Sequence, residues 1–312
     1  MDILAFWFQI GSARIKWNNA ISKLVPLAAG VKQGGILSPL LFSAFIDVVL
    51  TELSNFKAGC FLNGRCLNSF LYADDLLLLS LSISDLQLLI NKCCVILENL
   101  DLQINLDKSS CLRFGPRFKI NSHPITVDDK FINWVKEANY LGITLLAGIN
   151  FRCDWHLAKR KFFTAINSIL GALGSNPSIA VVLSLFQSIC VPILCYGLNA
   201  MQLSKGELSS FSFAYDNIFH KLFKINDKKT IWLCQFFSNV WPFGLFYDFI
   251  RFNFLLALFS KGLSGADDPL TKSDWLEMVE IAKKYNFGVS DSIFTLKDKV
   301  RSFLDLSLSV DV

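Results

Sequence analysis

Two adjacent aspartates, Asp74 and Asp75, constrain this 312-residue chain most, because they interrupt an otherwise apolar stretch. Apolar residues lie on both sides of the pair, at 70–71 before it and at 76–79 after it. Apolar runs this short indicate buried strands, so the pair is predicted to lie at a hairpin turn over 68–81. Aspartate is common in ordinary turns. Two carboxylates with no cation are costly to desolvate, however, and hard divalent ions such as Mg²⁺ are their usual partner.

A glycine-rich stretch at 30–37 lies upstream and leads into an apolar run at 40–53. Glycine lets the backbone approach a ligand closely, since it has no Cβ. Ser38 is predicted to be the N-cap of a helix over 38–53, with Pro39 at the first helical position. A glycine-rich loop before a helix N-terminus favours contact with a phosphate or nucleotide, although a purely structural loop is the commoner use.

The remaining pattern predicts an α+β chain. A hairpin is expected from 16–19 and 23–28, a helix over 84–99, and short strands with turns between 103 and 143. Together with the acidic hairpin these elements predict an antiparallel sheet with helices packed on one side. From about 150 onward the pattern is helical, with Asp154 as a predicted cap and with Gly171 and Gly174 ending the first helix.

Composition argues against a structural zinc site and against catalysis by histidine. The nine cysteines form no C-x-x-C pair and the three histidines are scattered, so structural zinc and histidine chemistry have little support. Reduced thiols are expected, as in an intracellular protein of the nucleus or cytoplasm. A formal net charge of +4 is compatible with nucleic-acid contact without requiring it.

A long uncharged stretch raises the question of a membrane span. No charged residue occurs between Phe162 and Ser204, and the part at 178–198 is apolar enough to pass a hydropathy threshold. Polar side chains and Pro192 interrupt this part, and no aromatic belt flanks it. We therefore predict packed helices rather than a membrane contact, with a membrane protein as the less favoured alternative.

Four motifs in a fixed order carry a family resemblance. They are the blocks at 30–42 (GVKQGGILSPLLF), 72–75 (YADD), 104–109 (INLDKS) and 140–142 (YLG). Over about residues 1–200, this order resembles the reverse transcriptases of non-LTR (LINE-type) retrotransposons. The resemblance implies a partial polymerase palm at 1–146, thumb helices at 147–204 and a helical C-terminal region at 205–312.

The resemblance also implies site residues. Asp74 and Asp75 would be the catalytic metal ligands, and Lys108 would approach the nucleotide triphosphate. The residues implied to line the nucleotide and template pocket are Gln33, Gly34, Ser38, Pro39, Tyr72 and Ala73. The turn implied to grip the primer is formed by Tyr140, Leu141 and Gly142.

The implied reaction is template-directed DNA synthesis by two Mg²⁺ ions, with Mn²⁺ as a possible substitute. Its partners would be an RNA template, a DNA primer and deoxynucleoside triphosphates, while any protein partner is left open.

The chain also departs from the family pattern. The family carries a further catalytic aspartate before the glycine-rich block, but Asp2 is the only acidic residue that precedes Gly30. The expectation is a segment without the fingers and the first catalytic aspartate, inactive or nearly so by itself, because losing one member of a catalytic unit removes most activity. The alternative is a non-catalytic nucleic-acid-binding relic of a retroelement.

Overall fold

A computed structural model describes residues 2–27, 30–62, 64–174, 177–261, 271–288 and 291–310. The chain divides into two compact units, unit 1 at Met1–Cys153 and unit 2 at Asp154–Val312. Unit 1 mixes short strands with helices, and the described part of unit 2 is helical. This composition of elements confirms the predicted α+β class.

The described helices of unit 1 are α1 (Asp2–Gln9), α2 (Ser38–Ser54) and α3 (Ile83–Asn99). The first eight strands are β1 (Ser12–Ala13), β2 (Lys16–Trp17), β3 (Ala20–Ile21), β4 (Val25–Pro26), β5 (Phe61–Leu62), β6 (Arg65–Cys66), β7 (Ser69–Tyr72) and β8 (Asp75–Leu78). The next six are β9 (Ser110–Cys111), β10 (Ile125–Val127), β11 (Lys130–Trp134), β12 (Glu137–Tyr140), β13 (Ile143–Leu146) and β14 (Arg152–Asp154).

These strands form several small sheets within the described residues. Strands β7 and β8 pair with each other, and β12 and β13 pair as the hairpin to which β14 adds. All pairs with a described register are antiparallel except β9 with β11, which is parallel. The predicted N-terminal hairpin has a different register from the one expected. Strand β2 pairs with β3, and β1 pairs with β4 outside it, because Asn18, with φ of 52°, makes the reversal tighter.

Helices α2 and α3 pack together and form the core beneath the β7–β8 hairpin. Apolar side chains recur on one face of α3 with helical spacing, and four of them are buried: Leu89, Ile90, Cys93 and Ile96. On α2 the buried residues are Ile46, Val49 and Leu53. The predicted spans of both helices are confirmed to within a residue or two, because period-3.6 apolar patterns form a helix face.

The predicted N-cap of α2 is wrong. Leu37 is the capping residue and makes no side-chain cap, while Ser38 is the first helical residue. The Ser38 hydroxyl points back into the loop and donates to the Lys32 carbonyl at 2.6 Å. Helix α3, by contrast, has a side-chain cap two residues before its predicted start, where the Ser82 hydroxyl accepts from the Asp85 amide at 3.0 Å.

Unit 2 begins with α4 (His156–Leu173), α5 (Ile179–Leu185) and α6 (Val191–Cys195). The helices that follow are α7 (Lys205–Phe223), α8 (Lys228–Phe237), α9 (Phe243–Ser260), α10 (Lys272–Tyr285) and α11 (Ile293–Val310). Their core is aromatic, and its fully buried rings include Phe162, Phe186, Phe211, Phe219, Phe243 and Phe252. Aromatic residues at helical spacing from 205 onward predict a core; Phe211, Phe219 and Phe249 are buried in it, whereas Phe237 is 80% exposed.

The first helix of unit 2 differs from its prediction at both ends. Trp155 is the N-cap residue of α4, although the Asp154 carboxylate does accept from the His156 amide at 2.8 Å. Gly171 lies inside the helix, and only Gly174, with φ of 77°, ends it. A single glycine costs a helix only about 1 kcal/mol, which packing readily offsets.

The apolar stretch at 178–198 forms one continuous helix over Ile179–Cys195 that contains a wider turn. Between α5 and α6 lies one π-helical turn, Phe186–Cys190. Pro192 follows this turn and has no amide hydrogen to donate to a carbonyl one turn back, so the wider turn accommodates its ring. The sequence predicts Ser178 or Asn176 as the cap of this helix; Ser178 is its N-cap residue without a side-chain hydrogen bond, and Asn176 lies outside the described residues.

Among the described residues, one helix is long and apolar enough to cross a membrane, and it is α9. This helix carries Arg251, whose guanidinium is buried and paired with Asp274 and Glu277 of α10. Only its length and composition make α9 a candidate for a membrane span. The core helix of a soluble protein can have the same length and composition.

Candidate active site

The acidic pair lies at the tip of the β7–β8 hairpin, as predicted. Tyr72 pairs with Asp75 across the strands, so Ala73 and Asp74 form a two-residue turn. Ala73 has φ of 51°, a left-handed conformation that costs a residue other than glycine about 1–2 kcal/mol. Both carboxylates are exposed. The strand alternation places Tyr72 and Asp75 on one face, while Leu71 and Leu76 pack against α2 and α3 from the other.

The base of this hairpin is fixed by a buried amide that the sequence analysis did not single out. Asn68 is 1% exposed, and its side-chain nitrogen donates to the carbonyls of Leu53 at 2.7 Å and Ala58 at 3.2 Å. The carbonyls belong to the end of α2 and to the segment after it. Asn68 therefore ties the first residue before β7 to the helix that supports the hairpin.

Gly59 completes this junction. Its φ is 102°, and a Cβ there would lie 2.6 Å from the Asn68 Cβ and 2.9 Å from the Leu79 carbonyl oxygen. A side chain has no space at this position, so the close approach requires glycine. Its signal in the sequence is weak, because a lone glycine and a lone asparagine are common in any loop.

Tyr140 is the implied primer-grip residue that lies near the acidic tip. Burial and the nearby Asp75 carboxylate both raise the pKa of its phenol above the usual value. Tyr140 precedes the two-residue turn between β12 and β13, where Leu141 has φ of 48° and Gly142 has φ of 80°. Two residues with positive φ are typical of the type I′ turns that match the twist of paired strands.

The glycine-rich loop is compact and exposed. The Gly35 amide donates to the Lys32 carbonyl at 3.0 Å, and the Ser38 amide donates to the Gly35 carbonyl at 3.2 Å. Gly34 has φ of 77° and open space where a Cβ would lie. The side chains of Gln33 and Pro39 face solvent at the start of α2. Backbone is thus accessible at a helix N-terminus, which is the arrangement that suits an anion.

Lys108 lies on a separate turn before β9. The Lys108 amide donates to the Asn105 carbonyl at 3.3 Å, and the Ser109 hydroxyl donates to the same carbonyl at 2.8 Å. The Lys108 side chain is exposed. Within the described part of the chain, neither Lys108 nor Gln33 forms a hydrogen bond or ion pair with Asp74 or Asp75.

Among the described residues, the side chains do not form a two-metal centre. Asp74 and Asp75 supply the oxygen ligands that Mg²⁺ prefers, and no described cation neutralises them. Across the described ranges, however, no group of three Asp, Glu, His or Cys side chains could hold a metal. Octahedral Mg²⁺ bound here would take its remaining ligands from water, substrate or another carboxylate.

Residues 3–145 match the family model described as reverse transcriptase (RNA-dependent DNA polymerase). This family consists of nucleotidyltransferases that act on nucleic acids and typically use divalent metal ions.

Curated relatives agree with the match. The Pol polyprotein of the type-2 retrotransposable element R2DM of Drosophila melanogaster is 33% identical over 164 residues, 49% of this chain and 15% of that protein. The RNA-directed DNA polymerase of the mobile element jockey, from the same fly, is 28% identical over 57% of this chain and 20% of its own length. The Pol polyprotein of the type-1 element R2 of Nasonia vitripennis is 31% identical over 37% of this chain and 12% of its own length.

The matched parts thus span a fifth or less of the length of these curated relatives. Within that part, the acidic hairpin, the glycine-rich loop and the Tyr-Leu-Gly turn all lie in the region matched by the family model. Residues 3–145 of this chain are therefore a segment of the reverse transcriptase family of non-LTR retrotransposons.

Proposed function

We propose that unit 1 handles the nucleotide and the primer terminus in RNA-directed DNA synthesis. The proposed substrates are an RNA template, a DNA primer and deoxynucleoside triphosphates. The observation that carries this proposal is the hairpin tip, where two exposed carboxylates have no ion pair among the described residues and one of them, Asp75, raises the pKa of the half-buried Tyr140 phenol. Exposed charges on a strained turn add little to the stability of a fold, and strained turns are common at ligand-binding sites.

Each implied residue has a proposed part in this function. Asp74 and Asp75 would bind a divalent ion, Mg²⁺ or in its place Mn²⁺. The loop at 30–38 would contact the nucleotide through backbone amides, with Gln33, Gly34, Ser38 and Pro39 along its wall. Tyr140, Leu141 and Gly142 would hold the primer backbone against the tip, and Lys108 would approach the triphosphate.

The proposal includes weak or absent polymerisation by this chain alone. The described side chains supply two carboxylates from one turn and no third acidic or histidine ligand nearby. The loss of one member of a catalytic unit typically removes most of the catalytic rate. We therefore expect little primer extension on an RNA template unless a further carboxylate is supplied.

A grafting experiment tests both parts. The chain would be assayed for primer extension alone and after fusion to the upstream segment of one of the curated relatives. We expect extension from the fusion only, and we expect Asp74→Asn to abolish it. Asp129→Asn is the matched control, since Asp129 is an exposed aspartate of the same unit with φ of 61°, which asparagine tolerates.

Two results would contradict the proposal. Robust extension by the unfused chain, lost in Asp74→Asn, would show that two carboxylates suffice. A fusion that binds an RNA–DNA hybrid but extends no primer would reject the assignment of Asp74 and Asp75. Mn²⁺ binding, followed by water-proton relaxation, gives a readout independent of activity and should be lost in the Asp74→Asn variant.

A further inference from the structure

A second cationic and aromatic surface lies in unit 1, on the loop at 113–119 (RFGPRFK) that follows β9. The surrounding stretch at 108–127 contains four Lys or Arg residues and no Asp or Glu, which gives it a formal charge of +4. Asp107 precedes this stretch and Asp128 and Asp129 follow it, so the excess of positive charge is local to the loop and the residues beside it.

The loop is held in one conformation by Arg113. Its guanidinium donates to the carbonyls of Arg117 at 3.2 Å and Ile120 at 2.9 Å, and it lies 4.9 Å from the centre of the Trp134 ring. Gly115 anchors the other side, because its amide donates to the Gly148 carbonyl at 2.8 Å. A loop fixed in this way loses little entropy when a ligand binds.

Two aromatic rings are exposed beside the loop. Phe114 and Phe151 lie with ring centres 5.3 Å apart, and they are 39% and 52% exposed. Such rings are normally buried in a core, so an exposed pair is an informative feature. Their faces provide a platform on which flat, apolar groups can stack.

Two cations close to Phe114 along the loop have no described acidic partner. Arg117 and Lys119 are exposed, and neither takes part in the ion pairs among the described residues. Lys119 lies 5.5 Å from the Phe118 ring, within the same loop. The loop that presents Phe114 therefore also carries two exposed cations with no ion pair among the described residues.

We propose that the Phe114–Phe151 ring pair, with Arg117 and Lys119, binds single-stranded nucleic acid. Bases would stack on the rings and phosphates would contact the two cations, the combination used in strand binding without sequence preference. A duplex hides its base faces, so the surface favours an unpaired strand. This inference rests on the proposed function in one respect, which is that a polymerase needs to hold a single-stranded template. The residues that it concerns lie outside the four motifs.

Fluorescence anisotropy with a labelled 20-nucleotide oligouridine tests the proposal, with oligothymidine and a duplex of the same length in parallel. Two variants separate the two contributions. Arg117→Ala with Lys119→Ala removes cations, and Phe151→Leu removes an aromatic face while keeping apolar bulk. The matched control is Lys23→Ala with Lys57→Ala, which removes two exposed cations from the same unit.

We expect the loop double variant to weaken oligouridine binding at least about fivefold and to reduce the salt slope by about 1.4, as for two lost phosphate contacts. Phe151→Leu should weaken binding about five- to tenfold, with an unchanged slope, because stacking is insensitive to salt. The control should change the affinity less than about twofold. Oligothymidine should behave like oligouridine, since stacking and phosphate contact do not require the 2′-hydroxyl.

Three outcomes would overturn the proposal: equal losses in the loop and control variants, no effect of Phe151→Leu, or duplex binding as tight as strand binding. Tight binding of anionic lipid vesicles with no strand binding would assign the surface to membranes instead. These results leave the proposed function standing if the grafted chain still extends a primer, so the two failures are distinguishable. Unchanged circular dichroism melts would show that the variants fold.

Discussion

The charged side chains that matter most in the two units have opposite environments. In unit 1, Asp74 and Asp75 are exposed at a hairpin tip, and no described cation pairs with them. In unit 2, Arg251 is 1% exposed and is paired with Asp274 at 2.5 Å and Glu277 at 2.8 Å. Paired charges inside a core join elements of the fold, whereas unpaired charges on a rigid turn remain available for a ligand.

The surroundings of Arg251 show how completely it is satisfied. Its guanidinium also donates to the Asn199 carbonyl at 3.1 Å, so three segments of unit 2 meet at one side chain. Burial alone would lower the pKa of this group, but the hydrogen bond and charge of Glu277, together with Asp274, outweigh it and raise the pKa. Arg251 therefore stays charged, and its partners lose their counterion if it is removed.

Arg251→Met is expected to have the largest effect on stability. It keeps a long apolar side chain but leaves Asp274 and Glu277 unpaired, which should cost about 3–5 kcal/mol of unfolding free energy. Urea denaturation followed by fluorescence would measure the loss. A loss below about 1 kcal/mol would break the comparison, because the charges of unit 2 would then be as dispensable as those at the tip.

Asn68→Ala is expected to have the next largest effect. The Leu53 and Ala58 carbonyls would lose their buried donor, which should destabilise unit 1 by about 2–3 kcal/mol. Amide hydrogen exchange in β7 and β8 should accelerate with it, because the base of the hairpin is released from α2. Asn55→Ala is a suitable control, since it removes an exposed side-chain amide of the same unit that donates to the Thr51 carbonyl one turn back. Equal effects of the two variants would contradict the assignment.

The double variant Asp74→Asn with Asp75→Asn should leave the fold almost unchanged. Surface changes outside packed contacts usually stay within about 0.5 kcal/mol, and removing two adjacent like charges is favourable if anything. Thermal melting in the absence of divalent ions would measure this. A destabilisation of more than about 1 kcal/mol would mean that the acidic tip has a structural purpose and would weaken the proposed function.

The smallest expected effect is a pH dependence in unit 2. Burial raises the pKa of the Asp216 carboxyl, even though Gln235 donates to it at 2.6 Å and His220 and Lys228 lower the pKa. A carboxyl whose folded pKa is raised favours the folded state when protonated, so this contribution is lost as the pH rises above its ordinary value of 3.8. Asp216→Asn should flatten the stability profile on that rising side. A profile identical to that of the unchanged chain would refute the assignment.

Periodic patterns predicted much of unit 1. The acidic hairpin and the helices α2 and α3 lie where the sequence indicated, because alternation along a strand and 3.6-residue spacing along a helix are local properties. Local sequence signals predicted the ends of helices less reliably. Ser38 was expected to cap α2 and Gly171 to end α4, yet the Ser38 hydroxyl found a loop carbonyl and Gly171 stayed helical.

The sequence alone determined that an acidic turn, a glycine-rich loop and a Tyr-Leu-Gly turn follow one another in the order of a reverse transcriptase. Only the tertiary structure decided that Asn68 and Gly59 fix the base of the hairpin, that Tyr140 lies near Asp75, and that Arg251 is buried. Those features depend on which distant segments meet. A polar side chain is buried only where its neighbours satisfy its hydrogen bonds, and no local pattern encodes that condition.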